Sequence, residues 1–228
     1  MKEKEKKITE CIGANIPEAH NADTELVFII DRSGSMSGFE EDTIGGFNSM
    51  IERQRSGEGE VLVSTVLFNN RSTVVHDRVP ISQIKPLTRY DYSAGGNTAL
   101  LDAIGDAIHH IGNVHKYARR EDVPKNTVFV ITTDGMENAS RCYGSDMVKQ
   151  MIKERTDKYG WEFIFVAANI DAVETADRIG IRSSRAANYR QDKEGFSDCY
   201  EAIGSFVSMK RSRASESMME CWKEGLDD

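Results

Sequence analysis

The sequence contains short apolar runs, and two of them end directly at an aspartate. Glu25–Ile30 is followed by Asp31, and Asn126–Thr133 is followed by Asp134. Runs of this length that are apolar almost throughout are typical of strands buried on both faces of a sheet. Four further strands are predicted, at residues 60–68, 72–79, 161–168 and 186–189. A chain with this many strands is expected to be built around one central sheet.

Helical patterns separate most of these strands. Leu101, Ile104 and Ile108 follow one another at spacings of three and four, which place them on one face of an amphipathic helix. The predicted helices cover residues 43–55, 98–116, 145–158, 172–179 and 195–210. This alternation predicts an α/β fold of the Rossmann-like, doubly wound type, with a mostly parallel central sheet and helices on both faces. The turn residues Asn69–Arg71 predict a hairpin and thus one antiparallel edge strand.

The length of 228 residues predicts one folded domain with extended ends. We divide the chain into a charged N-terminal arm (residues 1–23), the domain (residues 24–210) and a polar C-terminal tail (residues 211–228) that is expected to be loose. Within that tail, Met218, Met219 and Trp222 are compatible with a docking peptide or with a disordered end.

Charge and composition limit the class of partner. The chain has 29 basic and 37 acidic residues, a net charge of −8, which argues against nucleic-acid binding. No apolar stretch approaches the roughly 20 residues that a membrane span requires, so no membrane partner is expected. The N-terminal charges lead into no apolar segment, and the four cysteines are scattered. Both features favour a cytoplasmic location with free thiols.

Three polar clusters lie where predicted strands end or a helix begins. They are Asp31-Arg-Ser33-Gly-Ser35, Gly95-Gly96-Asn97-Thr98 and Asp134-Gly135. Each has an ordinary structural explanation as a turn or a helix cap. Together, however, they place two carboxylates at the ends of neighbouring strands, where the charges would repel each other unless a cation lies between them. Five of the side chains offer only oxygen, which favours Mg²⁺, Mn²⁺ or Ca²⁺ over zinc or copper. They are Asp31, Ser33, Ser35, Thr98 and Asp134.

These residues resemble the metal-ion-dependent adhesion site of von Willebrand factor type A (vWA) domains. The resemblance covers roughly residues 24–209 and includes all five motif positions. It implies a vWA fold in which Ser33, Ser35 and Thr98 ligate a Mg²⁺ or Mn²⁺ ion, with Asp31 and Asp134 as supporting carboxylates. It further implies that the ion recruits an Asp or Glu of a partner protein. The protein is thus expected to be a binding module and not an enzyme.

Residues beside the motif are candidates for the rim of the site. Gly96 and Asn97 are predicted to belong to it, whereas Glu137 is either an extension of the site or a solvated loop residue. By analogy with stand-alone cytoplasmic bacterial vWA proteins, the expected partner is an ATPase or a stress or metal-resistance assembly.

A second interpretation is a haloacid-dehalogenase-like phosphohydrolase in which Asp31 is the nucleophile. Such enzymes also bind Mg²⁺ beside an aspartate at the end of the first strand. Their general acid is a second aspartate two residues further on, where this chain has Ser33. A serine hydroxyl is a poor proton donor near neutral pH, so the binding module is the preferred hypothesis.

Overall fold

The computed structural model describes residues 22–226 and contains one six-stranded sheet. The strands, in chain order, are β1 (Thr24–Asp31), β2 (Val61–Phe68), β3 (Ser72–Pro80), β4 (Asn126–Thr133), β5 (Glu162–Ala167) and β6 (Ala186–Asn188). Their order across the sheet is β3-β2-β1-β4-β5-β6. Only β3 is antiparallel to its neighbour. The predicted α/β architecture, including the antiparallel edge strand, is confirmed.

Helices cover both faces of the sheet. They are α1 (Glu40–Arg55), α2 (Leu100–Tyr117), α3 (Ser145–Tyr159), α4 (Ala172–Arg178), α5 (Lys193–Arg211) and α6 (Glu216–Glu220). The alternation of side chains along β1 shows the two layers: Phe28 packs in a core with α1 and α5, whereas Ile29 packs in the opposite core with α2 and α3. Because both faces are covered, every residue of β1 is buried, as the apolar run predicts.

The register of the central strands brings the polar strand ends to one edge. β1 and β4 run parallel, with Ile30 opposite Thr132. Asp31 therefore ends β1 at the level where β4 reaches Thr133, one residue before Asp134. The carboxyl ends of parallel strands are where ligands bind in open α/β sheets.

The C-terminal segment differs from the expectation of a loose tail. After α5, the chain forms α6 and a short 3-10 turn, and Met219, Trp222 and Leu226 are buried against the α1–α5 side of the core. The indole of Trp222 also donates a hydrogen bond to the Ser184 carbonyl (2.9 Å). The prediction is wrong because the three apolar side chains are widely spaced in a polar sequence, and only their packing shows that they share one face.

The remaining boundaries fall within two or three residues of their predicted positions. Most of the N-terminal arm (residues 1–23) lies outside the described residues. In the part of the chain that the structure describes, no helix is long and apolar enough to cross a membrane.

Candidate metal centre

Asp31 is the most deeply buried acid of the candidate site. Its side chain is fully buried at the end of β1. One carboxylate oxygen accepts the Ser33 backbone N–H (2.7 Å), and the other accepts the Thr133 hydroxyl (2.6 Å). The Tyr92 hydroxyl donates to the backbone carbonyl of Asp31 (2.6 Å) and holds the backbone in place at this residue. These contacts orient the carboxylate, but none of them carries a positive charge.

Two serine hydroxyls connect Asp31 to the second acid. The backbone forms a tight 3-10 turn at Gly34–Met36, which directs Ser33 and Ser35 to the same side. Their hydroxyl oxygens lie 3.1 Å apart, and the Ser35 hydroxyl donates to Asp134 Oδ1 (2.5 Å). The acids of β1 and β4 are thereby joined through hydroxyl groups.

Thr98 approaches the same point from the loop before α2. A methyl group placed on Gly135 would lie 3.3 Å from the Ser35 hydroxyl oxygen and 3.4 Å from that of Thr98. Both hydroxyls therefore face the open side of Gly135, where any larger residue would crowd them. The structure thus brings together all five side chains that the sequence analysis selected.

The glycine pair before Thr98 shapes the rim. The Gly96 carbonyl accepts the Gly34 N–H (2.9 Å), and Gly96 has a φ of +85°, a conformation that favours glycine. The Asn97 N–H donates to Asn70 Oδ1 (2.9 Å). Gly96 and Asn97 therefore lie beside the serine turn. The contribution of Asn70, from the β2–β3 turn, was not foreseen.

Glu137 performs a structural role. One of its carboxylate oxygens accepts the Leu101 N–H at the start of α2 (2.9 Å), and the other accepts the N–H groups of Ala139 and Ser140. It therefore caps a helix and holds the loop after Asp134 in place. Neither predicted role, ligand or solvated residue, describes these contacts.

Gln191 is a residue of the site that the sequence analysis missed. Its amide nitrogen donates to Asp134 Oδ2 (2.6 Å), and its amide oxygen accepts from Asn169 Nδ2. Gln191 follows β6 and Asn169 follows β5, so both come from carboxyl ends of strands. Their position after a strand was the only sequence signal that could have identified them. An amide residue at such a position belongs to no motif, so it cannot be distinguished from an ordinary loop residue.

Burial perturbs both acids, and no cationic side chain in the described part of the chain is paired with either of them. Desolvation raises the pKa of Asp31 above its ordinary value, and the charge of Asp134 adds to this effect, against the opposing hydrogen bonds from Thr133 and Ser33. Desolvation also raises the pKa of Asp134, against the hydrogen bonds from Ser35 and Gln191. Carboxylates in this state are stabilised by any cation that approaches them.

The donor set suits a hard divalent cation. It consists of two carboxylates and three hydroxyls, all of them oxygen donors of the kind that Mg²⁺ and Mn²⁺ prefer. Within residues 22–226, no cluster of three or more His, Cys, Asp or Glu side chains forms an alternative metal site. A cation at this edge of the sheet would be held by the hydroxyls of the serine turn and Thr98 together with the two carboxylates.

Sequence comparison identifies the family. The profile of the von Willebrand factor type A domain matches residues 25–199, which is most of the chain. The chain belongs to the von Willebrand factor type A family. No curated protein sequence matches it closely enough to narrow its role within this vWA family.

Solved structures share the vWA fold at low sequence identity. Proximal thread matrix protein 1 from the mussel byssus is 15% identical, with a TM-score of 0.56 over 83% of this chain and 47% of its own. The VWA2 protein, an ArnB paralog from Sulfolobus acidocaldarius, is 17% identical, with a TM-score of 0.53 over 81% and 45%. This chain thus spans less than half of either structure.

A third structure is similar over more of its own length. The manganese-loaded TRAP protein of Plasmodium vivax is 14% identical, with a TM-score of 0.54 over 78% of this chain and 72% of that one. A zinc-occupied MIDAS motif is also described for the mussel protein. At these identities the similarity establishes the fold, and the site of this vWA domain has to be argued from its own residues.

Proposed function

We propose that this vWA domain is a divalent-metal-dependent protein-binding module. In this proposal, Ser33, Ser35 and Thr98 hold a Mg²⁺ or Mn²⁺ ion directly, and Asp31 and Asp134 are supporting carboxylates that act largely through water. The observation that carries the proposal is the pair of buried carboxylates, joined by hydroxyl groups and without a cationic partner among residues 22–226. The structural relatives whose sites hold manganese or zinc support it by analogy.

The chemistry of the partner follows from the donor set. Neutral hydroxyls neutralise little of a divalent charge, and Mg²⁺ prefers six oxygen ligands. A carboxylate from another protein therefore completes the coordination better than a neutral group would. We propose that the partner presents an Asp or Glu, and that an ATPase or a stress or metal-resistance assembly supplies it in a cytoplasmic setting. The ground for that location is the scattered spacing of the cysteines in the sequence.

Metal binding is tested first with Mn²⁺, because its electron paramagnetic resonance signal decreases when the ion binds a protein. We expect one Mn²⁺ per chain, competition by Mg²⁺, and loss of binding in Asp31→Ala and Ser33→Ala. Glu194→Gln is the matched control, since its side chain is 87% exposed on α5. Equal Mn²⁺ binding by Asp31→Ala and the wild-type protein would refute the proposed site.

Partner recruitment requires a separate experiment. The metal-loaded protein and the Asp31→Ala variant are each used to capture proteins, and candidates that only the loaded wild-type protein retains are mutated at their acidic residues. The proposal expects one Asp or Glu whose amide variant no longer binds. Capture that is unaffected by chelation of the metal would contradict the metal bridge.

The structure gives the phosphohydrolase alternative no specific support. The Asp31 side chain is fully buried and each of its oxygens is held by a hydrogen bond, so the carboxylate is not exposed to a phosphate ester. Hydrolysis of an aryl phosphate in Mg²⁺, abolished by Asp31→Asn, would establish the alternative. We propose that no such activity occurs.

A further inference from the structure

A cleft of about 820 Å³ lies at the opposite end of the sheet from the metal centre. It opens between α2 and α3 and reaches Thr127 near the start of β4 and Trp161 just before β5. Since β4 is eight residues long, about 23 Å of strand separates the cleft from Asp134. Its volume is in the range of small-molecule sites, roughly 300–1,000 Å³.

The charge of the cleft is opposite to that of the whole chain. Lys116, Arg120 and Arg155 line it, and none of them has an ion-pair partner within the residues the structure describes. The one acid in the lining, Glu154, is already paired with Lys158 (2.9 Å). In a protein with a net charge of −8, this leaves a concave surface with excess positive charge, which attracts anions.

Arg155 is held in place by packing and not by a carboxylate. Its guanidinium lies over the rings of Trp161 (5.2 Å to the centroid) and Tyr159 (5.1 Å). It also packs against Gly112, where a methyl group would lie 2.5 Å from Nη2. A guanidinium that is oriented in advance, with its donors unpaired, is suited to bidentate recognition of a phosphate or carboxylate.

His115 gives the wall of the cleft a fixed orientation. Its Nε2 lies 2.6 Å from a carboxylate oxygen of the fully buried Glu25, and its ring meets the edge of Trp161. Lys116 lies in the last turn of α2, where a positive charge interacts favourably with the helix dipole. The dipole is therefore a sufficient reason for a basic residue at this one position. The dipole does not account for Arg155, which comes from another helix and faces the same space.

We propose that this cleft binds a phosphate-bearing small molecule of nucleotide size. The phosphate group lies against Arg155, with Lys116 and Arg120 contributing charge at the rim. The half-exposed ring of Tyr159 and the remaining volume accommodate a planar base. The site is independent of the metal centre and of the partner-binding role proposed above.

Ligand-observed nuclear magnetic resonance tests the proposal with three probes, adenosine monophosphate, inorganic phosphate and adenosine, each added to the full chain in the presence of a chelator. We expect adenosine monophosphate to bind most tightly, inorganic phosphate more weakly and adenosine least. Binding of adenosine as tight as that of its monophosphate would overturn the anion site, as would binding of neither phosphate compound at millimolar concentration. Equal binding of phosphate and the nucleotide would overturn the assignment of a base pocket.

Variants distinguish a binding role for Arg155 from a purely structural one. Arg155→Gln is expected to weaken binding of adenosine monophosphate about tenfold, as for loss of one charge-assisted contact. Lys116→Gln removes an exposed rim charge and its contact with the Tyr117 ring (5.1 Å to the centroid), and is expected to weaken binding of adenosine monophosphate about threefold. Lys153→Gln is the matched control on α3, the helix of Arg155, because Lys153 pairs with Asp157 away from the cleft (3.3 Å). Unchanged affinity in both Arg155→Gln and Lys116→Gln, with melting temperatures maintained, would overturn the proposal.

Discussion

Strand β1 carries a buried carboxylate at each end, and the two are treated in opposite ways. Glu25 and Asp31 both have fully buried side chains, and their spacing puts them on the same face of the strand. Glu25 is paired with Arg78 Nε (2.6 Å) and with His115 Nε2 (2.6 Å). Asp31 accepts a backbone N–H and hydroxyl groups, and no cation among the described residues is paired with it.

The difference separates a structural acid from a functional one. The guanidinium of Arg78 compensates Glu25 within the chain itself, and His115 adds a hydrogen bond, so nothing further is required to stabilise the charge of Glu25. Asp31 and its neighbour Asp134 have raised pKa values because burial is not offset by positive charge. A site kept in this state is stabilised when an external cation arrives, and the free protein is correspondingly less stable.

The largest expected effect concerns Glu25, the buried acid of β1 that has a cationic partner within the chain. Arg78→Met removes the arginine partner of the buried Glu25 and leaves it the hydrogen bond with His115. We expect a loss of about 3 kcal/mol in the free energy of unfolding, as for other broken buried pairs. Urea denaturation measures this. Arg89→Met is the matched control, since Arg89 pairs with Glu41 at the surface and should cost well under 1 kcal/mol. Equal losses in the two variants would invalidate the contrast.

Adding metal tests the other end of β1, where Asp31 lies in the candidate metal centre. With a dissociation constant of about 1 mM and about 10 mM Mg²⁺, linkage predicts roughly 1.4 kcal/mol of stabilisation. For a domain of this size that raises the melting temperature by about 3–6 °C. A thermal melt of chelator-treated protein with and without Mg²⁺ or Mn²⁺ provides the measurement. Absence of any shift would remove the main support for the metal centre.

Neutralising Asp31 should have opposite effects with and without metal. In chelator, Asp31→Asn removes a buried charge and keeps the shape of the side chain. The new amide N–H can donate to the Thr133 hydroxyl, which then donates to the Gly135 carbonyl (3.2 Å), so we expect the variant to be more stable by about 1 kcal/mol. With Mg²⁺, the wild-type protein should gain stability while the variant does not. The corresponding change at the other end, Glu25→Gln, is expected to destabilise the protein in both conditions. Destabilisation by Asp31→Asn in chelator would contradict our account of this site.

Gly135→Ala tests whether metal binding requires the open space beside Gly135. The added methyl group approaches the hydroxyls of Ser35 and Thr98, so we expect Mn²⁺ affinity to fall about fivefold, roughly 1 kcal/mol, with little change in chelator-treated stability. Gly144→Ala is the matched control, because nothing lies within 4 Å of its added methyl group. If both alanine variants bind Mn²⁺ as tightly as the wild-type protein, the hydroxyls do not depend on this opening.

The smallest effect concerns pH at a second compensated acid. Burial opposes ionisation of Glu162, but the charges of Lys210 and Arg185 outweigh it and lower its pKa below the ordinary value of 4.5. A lowered folded-state pKa stabilises the protein above that ordinary value, and the contribution is lost as the pH falls through the folded-state pKa. Urea denaturation from neutral pH to about pH 3 should therefore show less acid sensitivity in Glu162→Gln. An identical pH profile in the two proteins would contradict this assignment.

Most of the fold could be predicted because its signals are local. The Asn126–Thr133 strand begins and ends where its apolar run does, and the spacing of Leu101, Ile104 and Ile108 places α2 within two residues at its start. Burial on both faces produces continuous apolar runs, and burial on one face produces a helical stripe. The C-terminal segment escaped prediction because Met219, Trp222 and Leu226 form no regular pattern.

The metal centre was predictable to the extent that its residues carry a motif. Asp31, Ser33, Ser35, Thr98 and Asp134 are recognisable together because the strand ends of an α/β sheet converge. Gln191 contacts Asp134 directly, yet no spacing in the sequence distinguishes it. Glu137 was interpreted as a rim or solvated residue, whereas its hydrogen bonds to backbone N–H groups show that it organises a loop.

The sequence by itself determined the alternation of strands and helices, the family and the five oxygen-bearing residues, because periodicity and motif are properties of neighbouring positions. Only the tertiary structure decided which buried acids are compensated. Glu25 lies at the start of the apolar run and Asp31 at its end. They differ because Arg78 and His115, which are distant in the chain, reach the carboxylate of Glu25 and not that of Asp31. Charge compensation depends on contacts between remote segments, and those contacts exist only in the folded protein.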